Sequence, residues 1–194
     1  MIRKFVICII ALLNFVSVSG QDEKQFYSAD FNWRIDLPHG FYTVSDAESA
    51  QQVKRGKEMF EATLGSPIVN QAVPIFSFKK DQFNHMEANF QPFDEATDGP
   101  YEDSVEMLQQ LLIASFEREI PGKPIKSRIY KETIDGLEFY VSYISLEGLP
   151  NNGALHMYMF SRLFGKRDFS VGIVSLIPQT EQTMLEVLRK STFH

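Results

Sequence analysis

The stretch from Ile125 to Ile177 constrains the fold more than any other part of this chain. It reads as four strands in succession, joined by short turns. Ile125 to Thr133 turns at Asp135-Gly136 into Leu137 to Leu146, and this dipeptide suits the positive backbone angles of a tight hairpin. Gly148 to Gly153 follows as a loop, with a proline and two asparagines. Leu155 to Phe164 then turns at Gly165-Lys166-Arg167 into Phe169 to Ile177. Strands joined this tightly run antiparallel, because a parallel return needs a crossover of about a dozen residues. The last two are apolar on both faces, which predicts central, covered positions.

The flanking segments supply the layers that such a sheet needs. Asp30 to Leu37 alternates, with Phe31, Trp33, Ile35 and Leu37 expected toward a core and Asp30, Asn32, Arg34 and Asp36 toward water. Ser45 or Asp46 caps a helix to about Leu64, with Val53, Gly56, Phe60 and Leu64 as its inner stripe. Val73 to Lys80 and His85 to Phe93 form a hairpin about Asp81-Gln82-Phe83-Asn84. Its second strand places Met86, Ala88 and Phe90 on one face and Glu87, Asn89 and Gln91 on the other. A helix from Glu102 to Glu119 is expected to use Asp103 and Glu106 as a capping box and to bury Val105, Leu108, Leu112, Ser115 and Phe116. A closing helix runs from Thr180, its expected cap, to Ser191. The order is β-α-β-β-α-β-β-β-β-α. It predicts an α+β fold, an antiparallel sheet packed between helices, in one domain spanning 21–194.

The first twenty residues read as an address. Arg3 and Lys4 precede an apolar run from Phe5 to Val16, and Val18 and Gly20 fit a small-residue cleavage site before Gln21. The run is shorter than the ~20 apolar residues of a membrane span. The expectation is a signal peptide over 1–20, with no transmembrane anchor after cleavage. Cys8, the single cysteine, lies inside it. The remainder lacks disulfides and Asn-x-Ser/Thr acceptors, which points to a bacterial protein that is periplasmic or secreted. The net charge of −6 argues against nucleic acid as partner, since phosphate binding needs a cationic surface.

Three markers carry a family resemblance. They are Phe31-Asn32-Trp33-Arg34-Ile35-Asp36-Leu37-Pro38-His39-Gly40-Phe41, the hairpin Thr133-Ile134-Asp135-Gly136-Leu137-Glu138-Phe139, and the closing helix running into Ser191-Thr192-Phe193. They are similar to the Leu-Pro-x-Gly-aromatic turn, the Ile-x-Gly turn into a long strand, and the terminal Ser-x-Phe of the Mog1/PsbP-like α/β/α fold. The chain most resembles the small exported bacterial members of that group. The resemblance implies an α/β/α sandwich. It also implies a binding role, since members known by role engage a small nuclear GTPase or support the oxygen-evolving photosystem. The markers are structural: Gly136 supplies a positive φ, and Pro38 ends a strand.

No catalytic motif stands out. The histidines, His39, His85, His156 and His194, fall at no metal-ligand spacing, and there is no Gly-x-Ser-x-Gly elbow or phosphate-binding glycine loop. The acidic run Asp94, Glu95, Asp98, Glu102, Asp103 and Glu106 does not align with a calcium loop, because Ala96 and Val105 occupy ligand positions. Lys123, Lys126, Arg128 and Lys131 suggest a basic stripe. Lys131 falls on the opposite strand face, so edge protection is the simpler reading. Trp33, Tyr140, Tyr158, Phe160 and Phe164 are candidates for the wall of a ligand cleft; the competing reading places such aromatics in the core. The expected function is a non-catalytic exported domain that binds a protein or cell-envelope partner, without a cofactor. A small-ligand carrier with a cleft between sheet and helix is the alternative, and an enzyme site assembled by the fold ranks behind both.

Overall fold

The structure is a computed structural model that describes residues 25–150 and 153–194. The expected signal peptide, its cleavage site and Cys8 lie outside the described residues. The elements are β1 (Gln25–Ser28), β2 (Trp33–Asp36), β3 (Tyr42–Thr43), α1 (Asp46–Leu64), β4 (Val73–Asp81), β5 (Asn84–Pro92), α2 (Glu95–Asp98), α3 (Tyr101–Glu119), β6 (Ile125–Ile134), β7 (Leu137–Leu149), β8 (Gly153–Phe164), β9 (Arg167–Ser175), α4 (Pro178–Arg189) and β10 (Thr192–Phe193). Seven strands form one antiparallel sheet in the order β3-β4-β5-β9-β8-β7-β6. The hairpin β4-β5 joins the four-stranded run through β9. The strands read as apolar on both faces, β8 and β9, are interior.

β1, β2 and β10 make a second, small antiparallel sheet. The alternating segment from Asp30 is thus shorter than expected and pairs outside the main sheet. Asn32 adopts a φ of 50°, so the chain turns before Trp33. Phe31, Trp33 and Ile35 are buried all the same. Trp33 is fully enclosed. Its ring stacks 5.3 Å from Phe76 and 5.5 Å from Phe193, and Nε1 donates to Ser191 Oγ at 2.9 Å. The small sheet and α4 cover one face of the main sheet. Met184, Leu185 and Leu188 there meet Phe78, Met86, Phe160, Val171 and Ile173.

α3 packs on β7 at the opposite face, with α1 leaning on α3. Several end signals differ from expectation. Ser45 does cap α1, accepting from Glu48 N at 3.3 Å, and Gly65 closes it at φ 69°. Half of the expected inner stripe of α1 turns outward, however. Val53 and Leu64 are 44% and 51% exposed, while Gly56 and Phe60 are partly buried together with Gln52, Met59 and Thr63. α3 offers a hydroxyl rather than a hydrocarbon here, and Thr63 Oγ1 lies 2.9 Å from the buried Ser115 Oγ. The expected box of Asp103 and Glu106 is not formed. α3 starts after Pro100, and Glu95 of α2 accepts from Tyr101 N at 3.2 Å. Thr180 is not a cap either. The hydroxyl of Ser175 bonds both the N–H and the C=O of Ile177, so α4 begins at Pro178, whose missing N–H costs nothing at a first helical position.

Candidate binding face

The five aromatics proposed as a cleft wall do not share a surface. Trp33 and Phe160 are wholly inside the core on the α4 side, and Phe164 packs against that core, 5.6 Å from Phe193. Tyr140 projects from the opposite face, 5.9 Å from Tyr101. Period-two geometry explains the split: Tyr140 lies one residue from the inward Phe139 and Val141. Tyr158 is also buried, 8% exposed, but it lies beside Tyr143 under a partly exposed surface.

That surface is the end of the α4-side face toward β6. The register sets Arg128 beside Tyr143 and Tyr143 beside Tyr158, with Tyr130 beside Val141. His156 neighbours Ser145 on the same face. The Arg128 guanidinium lies over both Tyr130 and Tyr143, 5.0 and 5.1 Å from the ring centres. Tyr143 sits 4.8 Å from Tyr158 and meets His156 edge-on at 5.9 Å. α4 borders this shelf with two charged side chains. Glu181 Oε1 accepts from Tyr158 Oη at 2.6 Å, and its Oε2 lies 2.7 Å from His156 Nδ1 without an aligned hydrogen bond. Arg189 grips both oxygens of Glu132, at 2.6 and 3.2 Å. Burial and the Glu181 carboxylate push the Tyr158 phenol well above its ordinary range. Burial, then Glu132, raises Tyr130. Both hydroxyls therefore stay protonated at neutral pH, and that of Tyr158 donates to Glu181.

The opposite face is polar between its helices. Ser77, Glu87, Gly172, Met159 and Ser142 form one cross-strand row from β4 to β7. α3 closes the β7 end: Gln109 Nε2 donates to Ser142 Oγ at 2.9 Å and Arg128 O at 3.0 Å. Tyr101 Oη donates to Asp168 Oδ1 at 2.6 Å, and Gln91 Nε2 to Oδ2 at 3.0 Å. Burial raises Asp168 despite these donors. Toward β4 the satisfaction ends. Ser77 Oγ and His85 Nδ1 are buried without a hydrogen-bond partner, and Glu87 is held above the ordinary carboxylate range by burial. Burial lowers His85 in turn.

The acidic run works as local capping. Asp94 accepts from Ala96 N, Asp98 from Asp94 N, and Lys166 pairs with Asp94 at 2.5 Å. Among the described residues no group of three or more His, Cys, Asp or Glu is placed to hold a metal ion. A solvent-open groove of about 310 Å³ lies between α1 and α3, lined by Arg55, Glu58, Met59, Arg118 and Glu119. Among the described residues no helix is long and apolar enough to cross a membrane.

No family model matches the sequence, and no curated protein matches it. The likeness lies in three dimensions. The solution structure of cyanobacterial PsbP (CyanoP) from Synechocystis sp. PCC 6803 superposes with a TM-score of 0.51, over 88% of this chain and 91% of that one. The fold is PsbP-like. Sequence identity over the match is 9%, so the PsbP-like likeness concerns architecture alone.

Sequence reasoning missed most of the shelf. Arg128 reads in the sequence as one of several edge cations, and nothing local brings Tyr130, Tyr143, His156 and Glu181 together. The available signal was the alternation Lys126, Arg128, Tyr130, Glu132, which puts cations and an aromatic ring on one strand face.

Proposed function

We propose that this chain is an exported, non-catalytic binding domain that engages a protein or cell-envelope partner through the β6 end of its main sheet. The observation that carries this reading is the shelf of Arg128, Tyr130, Tyr143 and His156. Tyr and Arg are the residue types that dominate binding hot spots, and here they are partly or fully exposed and held in place by mutual stacking. Export rests on the N-terminal sequence, and N-terminal sequencing of the protein from its host, with Gln21 first, would support it. Binding is tested with a photo-crosslinking residue at Tyr143 in the host and, as control, at the exposed Met107 on α3. Adducts from Tyr143 alone are expected. Equal adducts from Met107, or none from Tyr143, would sink the reading.

A small-ligand carrier is the second reading. It is favoured by the unpartnered Ser77 Oγ and His85 Nδ1 beside Glu87, because a buried polar group without a partner is costly unless something else satisfies it. Gly172 leaves the space over Glu87, where an added Cβ would lie 3.6 Å from Glu87 Cγ. A ligand that raises the melting temperature of the protein, and loses that effect in Gly172→Leu, would support this reading.

A further inference from the structure

We propose that the outer edge of β6 receives an extended acidic segment of a protein partner, with one of its carboxylates seated on Arg128. This rests on the binding reading above and names the partner's chemistry. Among the described residues β6 forms one outer edge of the main sheet and is ten residues long, so a peptide laid along it can continue the ladder. Its own charge selects the guest. Lys126, Arg128 and Lys131 stand on this strand against one acid, Glu132, in a protein whose net charge is −6. A second copy of β6 would meet net repulsion and an acidic strand net attraction.

Arg128 is the cation left over. Lys126 is paired with Glu147 at 2.6 Å, Lys131 with Glu138 at 2.9 Å and Arg189 with Glu132 at 2.6 Å. Arg128 forms no ion pair among the described residues. Its guanidinium is instead held over two tyrosine rings, which fixes a planar fork suited to a carboxylate. Lys and Arg on an edge strand serve edge protection when they stay solvated. Arg128 is exposed, but its guanidinium lies over two rings, which restricts its orientation while leaving it open to a guest and favours recognition.

The test is titration of the ¹⁵N-labelled protein with three probes: an alternating Glu-Thr octapeptide, its Gln-Thr counterpart, and phosphatidylglycerol vesicles. The Glu peptide should give saturable amide shifts centred on β6. Binding should fall roughly tenfold or more with the Gln peptide or in Arg128→Gln, with Arg128→Lys between, since a lysine keeps the charge and loses the fork. Arg128 is exposed, so both variants should melt with the parent protein. Absent shifts, shifts centred elsewhere, or shifts indifferent to the Gln replacement overturn the proposal. Vesicle binding that vanishes in Arg128→Gln also overturns it, by assigning the arginine to a lipid headgroup. If the peptide fails while Tyr143 still crosslinks a partner, only the acidic-strand proposal falls. If both fail, the binding reading falls with it.

Discussion

The two faces of the main sheet are closed by different chemistry. On the α4 side, Phe76, Phe78, Met86, Phe139, Val141, Phe160, Phe169, Val171 and Ile173 form a continuous hydrocarbon layer under Trp33, Ile35 and Met184. On the α3 side, the row from Ser77 to Ser142 carries polar groups, and Gln109 and Tyr101 bond α3 to the sheet beside the buried Val105, Leu112, Ile144 and Leu146. Apolar burial is non-directional and scales with area, so the first face gains from every contact. A polar face gains little from each hydrogen bond and loses much when one is left unmade. The first face therefore holds the molecule together. The second can carry unpartnered groups such as Ser77 Oγ and His85 Nδ1 because the opposite layer supplies the stability.

This contrast can be broken by substitution. Trp33→Ala should be the most damaging, costing about 3–5 kcal/mol in urea unfolding followed by circular dichroism. A cost near zero would mean that the α4 side is not the main core. On the other face, Gln109→Ala removes the donor to Ser142 Oγ and Arg128 O and should cost about 1–3 kcal/mol in the same assay. A larger loss than that of Trp33→Ala would reverse the comparison.

Two further variants sharpen it. Gly56 lies mid-helix in α1, and a methyl added there meets nothing within 4 Å. Gly56→Ala should stabilise the protein by about 1 kcal/mol through helix propensity alone. Destabilisation would show that α1 packs more closely than its exposed Val53 and Leu64 indicate.

Glu87→Gln should give an effect that depends on pH and vanishes in acid. Burial raises the folded Glu87 above the ordinary 4.5 of the unfolded chain, so the folded state holds the proton more tightly. Stability from this group is then complete below about pH 4.5 and declines as pH rises through the raised folded value. The variant lacks that decline. It should melt above the parent near pH 7 and together with it near pH 4, as followed by thermal circular dichroism.

Much of the strand content was legible because it depends on neighbours in sequence. The turns at Asp135-Gly136 and Gly165, the hairpin of β4 and β5, and the interior places of β8 and β9 follow from turn chemistry and from apolar residues on both faces. Less visible were the two-residue strands β3 and β10, too short to show a period, and the true ends of α3 and α4. Those ends depend on Glu95 and Ser175 bonding across space or across a bend. Two residues of the expected α1 stripe face outward for a similar reason. Val53 and Leu64 are the more apolar choice, yet the partner helix presents Ser115, and Thr63 turns inward to meet it.

The candidate face was legible only in fragments. In the sequence Tyr158 stands out only as an aromatic, Arg128 as a cation and His156 as an isolated histidine, each without its neighbours. Arg128 and Tyr143 are partners because of one register of β6 on β7, and a slip of one residue would send Tyr143 to the other face. Glu181 reaches Tyr158 and His156 because α4 returns across the sheet after β9. Composition and periodicity, being local, by themselves determined the antiparallel strand run and which residues of each strand share a side. Strand order, the placing of the alternating Trp33 segment in a separate sheet, and the meeting of Arg128 with Tyr143, and of Tyr143 with Tyr158 and His156, were decided by tertiary packing, because each depends on contacts between residues far apart in the chain.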